Sequence, residues 1–355
     1  MSLLERTIKK IFPQDSQSRE LAKQRLDNLA MPHWALGDLM DLAINIAGMT
    51  RTITPSTKKK AILTMAGDHG VTIEGISKFP SEVTPQMVYN FVNGGAGINA
   101  LARQAGADVY VVDMGVNADL NALAESGKIM NKKVGLGTAN IAKGPAMSHA
   151  MATRAIESGI EIAELLAPDY DVFGTGDMGI GNTTPSTAIA AVITKKNVAE
   201  LTGRGTGLDD DQLANKIRVI EKAIAINNPD RSKGIDVLAK VGGFEIGGIA
   251  GLILGAAANK KPVVVDGFIS TAGALIAYAI EPFVRDYIIF SHKSMEPGHK
   301  AMQEHLGCSK PLLDLNFRLG EGTGGAVAMN LVDGAVAILT EVATFEEAAV
   351  AGSDK

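Results

Sequence analysis

The sequence predicts a doubly wound α/β fold with a mainly parallel sheet and helices on both faces. Three observations predict it. Short, continuous apolar runs rich in β-branched residues recur through the middle of the chain. Helical patterns alternate with those runs. Glycine and polar residues collect directly after them. Continuous apolar runs suit strands buried on both faces of a parallel sheet, and strand–helix alternation is the pattern of crossover-connected α/β domains.

The elements follow in order. Residues 1–50 read as helical: 18–28 are charged and amphipathic, and 36–46 carry Leu36, Leu39, Met40, Ala43 and Ile46 at helical spacing. Residues 50–60, polar with Pro55 and three successive lysines, read as a surface linker. Strands are expected at 61–66 (AILTMA), 107–114 (ADVYVVDM), 170–174 (YDVFG), 261–266 (KPVVVD) and 287–291 (YIIFS). Helices are expected at 98–104, 147–166, 210–226 and 272–280, with a buried helix at 246–258 and a further helical stretch at 324–350. Residues 56–300 then form an α/β nucleotide-binding catalytic domain. Residues 1–55 pack with 301–355 as a small helical domain. Ligands bind at the carboxyl ends of the strands in open α/β sheets. That rule directs attention to Asp68-His69-Gly70, Asp177-Met178-Gly179, Gly267-Phe268 and His292-Lys293-Ser294.

Composition narrows the function. The net charge of -5 argues against nucleic-acid binding, which needs a basic surface. A lone cysteine, Cys308, excludes an intrachain disulfide and points to a reducing cytoplasm. Residues 1–13 are charged without an apolar core, unlike a signal peptide. No window reaches the roughly 18 uncharged apolar residues that span a bilayer, so no membrane partner is expected. Glycine, at 39 residues, exceeds the usual share of about 7%. Its clusters suggest turns that approach a ligand closely.

Five segments carry candidate chemistry. Residues 174–185 (GTGDMGIGNTTP) begin with a G-x-G-x-x-G match, which raises a dinucleotide site. The helix is expected to start later, near Pro185 with Thr184 as N-cap. A glycine-rich loop of this kind ahead of a helix can bind one phosphate, or be a plain turn. Residues 202–207 (TGRGTG) precede Asp209, Asp210 and Asp211, which suit a helix N-terminus; Arg204 or Lys216 could meet a phosphate or remain solvated. In residues 266–273 (DGFISTAG), Asp266 could bind ribose hydroxyls, while Ser270 or Thr271 could be an N-cap. Residues 291–299 (SHKSMEPGH) hold His292 and His299 without an HExxH pattern, so no metal is expected. In residues 318–325, Glu321 stands among glycines before an apolar helix. Burial there would raise its pKa and suit a general base; the helix dipole alone is the alternative reading. No Walker-type loop or nucleophile elbow is present.

Together and in this order, residues 67–75 (GDHGVTIEG), 83–86 (VTPQ), 137–147 (GTANIAKGPAM), 177–185, 203–209, 242–247 (GGFEIG), 266–274, 296–299 and 320–325 resemble the nicotinate-nucleotide–dimethylbenzimidazole phosphoribosyltransferase family. The resemblance spans about residues 29–349. It implies transfer of ribose 5-phosphate from nicotinate mononucleotide to 5,6-dimethylbenzimidazole or a related base, for the lower ligand of cobamides. It implies Glu321 as general base and Asp177 as a second active-site carboxylate. Gly179, Gly181, Asn182, Thr183, Gly205, Lys216, Asp266, Gly267, Phe268 and Ser294 would hold phosphate and ribose. Phe79, Gln86, Met87 and Leu319 would border the aromatic base. No cofactor is implied, and the usual assembly is a homodimer. Asp177 departs from the glutamate common in the family, residues 33–37 (HWALG) differ from its proline- and glycine-rich version, and Lys78 and Phe79 replace small polar residues of some members. The preferred base is therefore open: dimethylbenzimidazole is the default, with other benzimidazoles, adenine or a phenolic compound as alternatives.

Overall fold

The computed structural model describes residues 1–205 and 207–351. Thr206, within the second glycine run, and the last four residues of the expected helical domain lie outside the described residues. Six strands form one wholly parallel sheet: β1 Lys60–Gly67, β2 Ala107–Gly115, β3 Met130–Asn131, β4 Val172–Met178, β5 Val263–Val265 and β6 Ile288–Phe290, in the order β3-β2-β1-β4-β5-β6. The chain winds outward from β1 in one direction and then returns to build the other half. The crevice between β1 and β4 is the point where such sheets bind ligands. Every residue of β1 is buried, as the mostly apolar run of a central strand requires.

β4 differs from its sequence expectation. It begins at Val172 and continues through Gly174, Thr175, Gly176 and Asp177 to Met178. The first glycines of the G-x-G-x-x-G match are therefore strand, not a phosphate turn. A Cβ on Gly174 would lie 2.8 Å from the Met329 side chain, and one on Gly176 would lie 2.3 Å from the carbonyl oxygen of Glu321. These glycines admit close neighbours over the strand. The next helix begins at Thr183 with Asn182 in the N-cap position. Thr184 lies inside it, so the expected cap is displaced by two residues. The segment therefore does not form a dinucleotide-binding turn, which needs the helix to start within the glycine motif. The two-residue β3 has no counterpart in the sequence reading.

Helices cover both faces. Phe244–Ala258, the expected buried helix, crosses His149–Leu166 so closely that a Cβ on Gly251 would lie 1.9 Å from the Ile156 carbonyl oxygen. Much of the glycine excess thus serves helix contact rather than ligand turns. Helix Asp210–Asn227 starts as its acidic residues suggest: Asp209 caps it by accepting from the Gln212 N–H. The last helix, Thr323–Glu341, packs against Asp38–Thr50, against Gly97–Ala105, and over β4 and β5. By length and composition this helix alone among the described residues would suffice to cross a membrane, although it carries Asp333 and Glu341 and so is no uncharged apolar window. Here it lies against the sheet, and its Asp333 pairs with buried Lys60 of β1 at 2.5 Å.

Candidate active site

A cavity of about 510 Å³ opens at the carboxyl ends of β4, β5 and β6. A larger cleft, about 1230 Å³, runs between helix Asp38–Thr50 and residues 304–312. Its guanidinium groups are already engaged, Arg19 by Gln14 and Asn45 and Arg285 by the carbonyls of Leu306 and Ile288. The smaller cavity is where unspent polar groups converge.

Its polar wall is built from the turn after β4. Gly181 takes φ +87°, which only glycine adopts freely, and turns the chain into helix Thr183–Thr194. The start of that helix faces the cavity, and its dipole favours an anion. Lys216 reaches the same point from helix Asp210–Asn227. It is buried, and its ammonium donates to Thr183 Oγ1 at 2.7 Å and to the Gly203 carbonyl at 3.3 Å. Burial pulls its pKa down to about 8. One of its three donor hydrogens remains for a ligand. Gly205 lies alongside: a Cβ there would be 3.5 Å from both Lys216 Nζ and Thr183 Oγ1. Glu296 faces Lys216 and Arg318, although burial raises its pKa.

Glu321 enters on the loop that leads from helix Gly298–His305 into the last helix. Its backbone takes φ +64°, uncommon for a residue with a side chain and a mark of a constrained position. Four hydrogen bonds hold it and its loop. The Thr64 hydroxyl of β1 donates to the Glu321 carbonyl at 2.9 Å. The amides of Gly322 and Gly325 donate to the two oxygens of Asp266 at 3.2 and 3.0 Å. The Ile98 amide, in the first turn of helix Gly97–Ala105, donates to Glu321 Oε2 at 3.0 Å. Oε1 has no hydrogen bond among the described residues, and Glu321 lines the cavity. Burial outweighs the amide donors and raises the carboxyl's pKa.

Asp177, at the end of β4, is buried, and its Oδ2 accepts from the Asn182 side-chain amide at 3.1 Å, while Oδ1 has no partner among the described residues. Burial first, then the negative charges of Asp266, Glu245 and Glu321, drive its pKa well above the usual carboxylate range. Beneath it, His69 Nε2 lies 2.9 Å from Glu245 Oε1, both side chains buried. The pair meets at contact distance without a linear N–H···O bond. A raised carboxyl pKa means that ionisation favours the unfolded chain. Stability from this group is present below its unfolded pKa and is lost as pH rises toward the folded value. Asp177→Asn, which still accepts from Asn182, is therefore expected to raise Tm at pH 8, by about 2–4 °C for each kcal/mol relieved, and to match native protein near pH 4. Thermal melts at both pH values test this. Equal Tm at pH 8 would show an ionised, tolerated Asp177.

The structure brings together Glu321, Asp177, Gly179, Gly181, Asn182, Thr183, Gly205, Lys216, Gly267, Phe268 and Ser294 with Phe79, Met87 and Leu319 as lining residues. It does not bring in Asp266 or Gln86. The Asp266 side chain is wholly buried behind the wall and spent on backbone amides, so it positions the Glu321 loop instead of meeting ribose. Gln86 lies on the exposed face of helix Val83–Val92. Val83, four residues before Met87 and hence on its face, lines the cavity instead; that spacing was the available signal. His292, Glu296 and Arg318 also line it. Residue type and spacing present His292 and His299 only as metal-ligand candidates. Among the described residues no group of three or more His, Cys, Asp or Glu could hold a metal ion.

A family model described as phosphoribosyltransferase matches residues 11–350. The chain is 70% identical over the full length of both chains to a nicotinate-nucleotide–dimethylbenzimidazole phosphoribosyltransferase of Desulfotalea psychrophila. It is 55% identical, again at full length for both, to the enzyme of that name from Geobacter sulfurreducens. A crystal structure of CobT from Thermus thermophilus superposes with a TM-score of 0.90 at 41% identity, covering 94% of this chain and 99% of that one.

Proposed function

The chain belongs to the nicotinate-nucleotide–dimethylbenzimidazole phosphoribosyltransferase family, and from that premise we propose how its site works. The substrates are nicotinate mononucleotide and 5,6-dimethylbenzimidazole or a related aromatic base. The products are nicotinate and an α-linked ribotide for a cobamide nucleotide loop. One observation carries this reading: Glu321 presents an open carboxylate oxygen to the same cavity as Lys216 and the start of helix Thr183–Thr194.

In this reading Lys216, Gly205, Ser294 and the 179–183 turn hold the phosphate and ribose. Phe79, Met87, Val83 and Leu319 offer apolar surface to the flat base. One ring nitrogen of the base attacks ribose C1′ while Glu321 takes the proton from the other. The C1′–N bond to nicotinate breaks, and its electron pair neutralises the positive ring nitrogen. Nicotinate leaves without needing an acid. The protein supplies alignment and a base, and Asp177 orders the turn through Asn182. We also assign the protein to the cytoplasm as a homodimer, which light scattering would check.

The test is incubation of purified protein with nicotinate mononucleotide and a panel of bases, read by chromatography and mass spectrometry. Release of nicotinate with a new ribotide is expected, and relative rates give base preference. Nucleotide binding without product from any base would overturn the transfer reading.

A further inference from the structure

His292 follows β6 and is buried, with only 3% of its surface exposed, yet it lines the cavity. Its tautomer can be derived. The Ser291 hydroxyl donates its one proton to the Asp266 carbonyl at 3.0 Å. The same oxygen lies 2.8 Å from His292 Nδ1. Both contacts are satisfied only if Nδ1 carries a hydrogen and donates to Ser291 Oγ. The Asp266 carboxylate, 3.8 Å from Nδ1, favours the same arrangement. The neighbouring ring is fixed too: His299 Nδ1 accepts from the Ser294 amide at 2.9 Å, so its Nε2 donates to Thr271 Oγ1 at 2.9 Å. Nor can the His292 ring shift toward the last helix, since a Cβ on Gly324 would come within 2.0 Å of Nδ1. What remains is Nε2. It has no hydrogen bond among the described residues and is not sealed in the interior. It lies at the Gly267 wall, where a Cβ would be 3.4 Å away. Burial pulls the pKa of the ring down to about 4, which keeps that nitrogen an acceptor at neutral pH.

We propose that His292 Nε2 accepts a hydrogen bond from a ribose hydroxyl of the bound nucleotide, and so selects ribonucleotides over deoxyribonucleotides. This rests on the phosphoribosyl-transfer reading. An acceptor fixed in a buried wall rejects a ligand that lacks the matching donor, because the lone pair is then left unpaired. His292 is thereby a specificity determinant facing the sugar, while Lys216 faces the phosphate.

The test is a binding cycle by calorimetry, with nicotinate mononucleotide and its 2′-deoxy and 3′-deoxy analogues. Removing one of the two hydroxyls is expected to cost native protein about tenfold in affinity, which corresponds to about 1.4 kcal/mol. His292→Asn keeps a donor at the Nδ1 position but does not reach Nε2. It is expected to lose about tenfold for the natural ligand and nothing further for that analogue. His292→Gln, whose amide oxygen reaches the Nε2 position, is expected to restore most of the discrimination. Additive losses for both analogues would overturn the proposal, as would a protonated Nε2 in ¹⁵N-histidine spectra of the native protein, which needs no variant to fold. Native protein that binds no nicotinate mononucleotide would overturn the underlying reading as well, a result distinct from binding with additive losses.

Discussion

Glu321→Gln is expected to lower kcat by about 10²–10⁴-fold, the contribution of a positioned general base, with nucleotide affinity nearly unchanged. The substitution is gentle on structure. Glutamine keeps an acceptor for the Ile98 amide, and the backbone contacts from Thr64, Gly322 and Gly325 do not involve the side chain. What it removes is the ability to take a proton. The pH profile gives a second readout. The base works only when ionised, and burial raises its pKa above that of an ordinary glutamate. Native activity should therefore fall as pH drops through that raised value, and the acid limb should vanish in the variant. Near-native turnover, or an acid limb that persists unchanged, would remove Glu321 from the role.

Gly176→Ala should cost about 10²-fold in kcat although residue 176 has no contact with the cavity. The added methyl would lie 2.3 Å from the Glu321 carbonyl oxygen and 2.8 Å from its carbon. Neither side can yield easily. β4 is paired on both edges, and the Glu321 loop is tied to Thr64 and Asp266. Overpacking of this kind costs about 1–3 kcal/mol, and misplacing a catalytic group by about 1 Å costs on the order of 10² in rate. Gly334→Ala is the control. It lies in helix Thr323–Glu341 with nothing within 4 Å of an added Cβ, and it should stabilise by about 1 kcal/mol with activity intact. Loss of stability without loss of turnover in Gly176→Ala would separate the loop's tether from its chemistry.

The strands are legible wherever a mostly apolar, β-branched run stands out, as in β1, β2 and β5. β3 is not, because two residues at a sheet edge carry no such run. The end of β4 misled for a physical reason. Gly174 and Gly176 look like a turn, yet their missing side chains make room for Met329 and for the Glu321 carbonyl, partners about 150 residues away that no local pattern announces. The site residues carried over by resemblance converge well. The two that do not show the limits of residue-type reasoning. An aspartate after a strand can face the ligand or the backbone behind it, and Asp266 faces the backbone. Gln86 comes with the resemblance, whereas helical spacing from Met87 selects Val83. His292 could not be assigned because its free nitrogen is defined by a tautomer, which depends on where Ser291 sends its proton.

The strand order also has a consequence for birth of the chain on the ribosome. β1, β2 and β3 can pair as soon as they emerge, but the other flank of β1 is reserved for β4, which begins only at Val172. For the time taken to make residues 132–178, a mostly apolar central strand stands with one row of amides and carbonyls open. Such an edge is a template for wrong pairing with other chains. Helix Val83–Val92, which contacts β1, β2 and β4 and is already made by then, is the element available to shield it. Once β4 pairs, the open edge passes from β1 to β4, whose other flank waits for β5 at Val263.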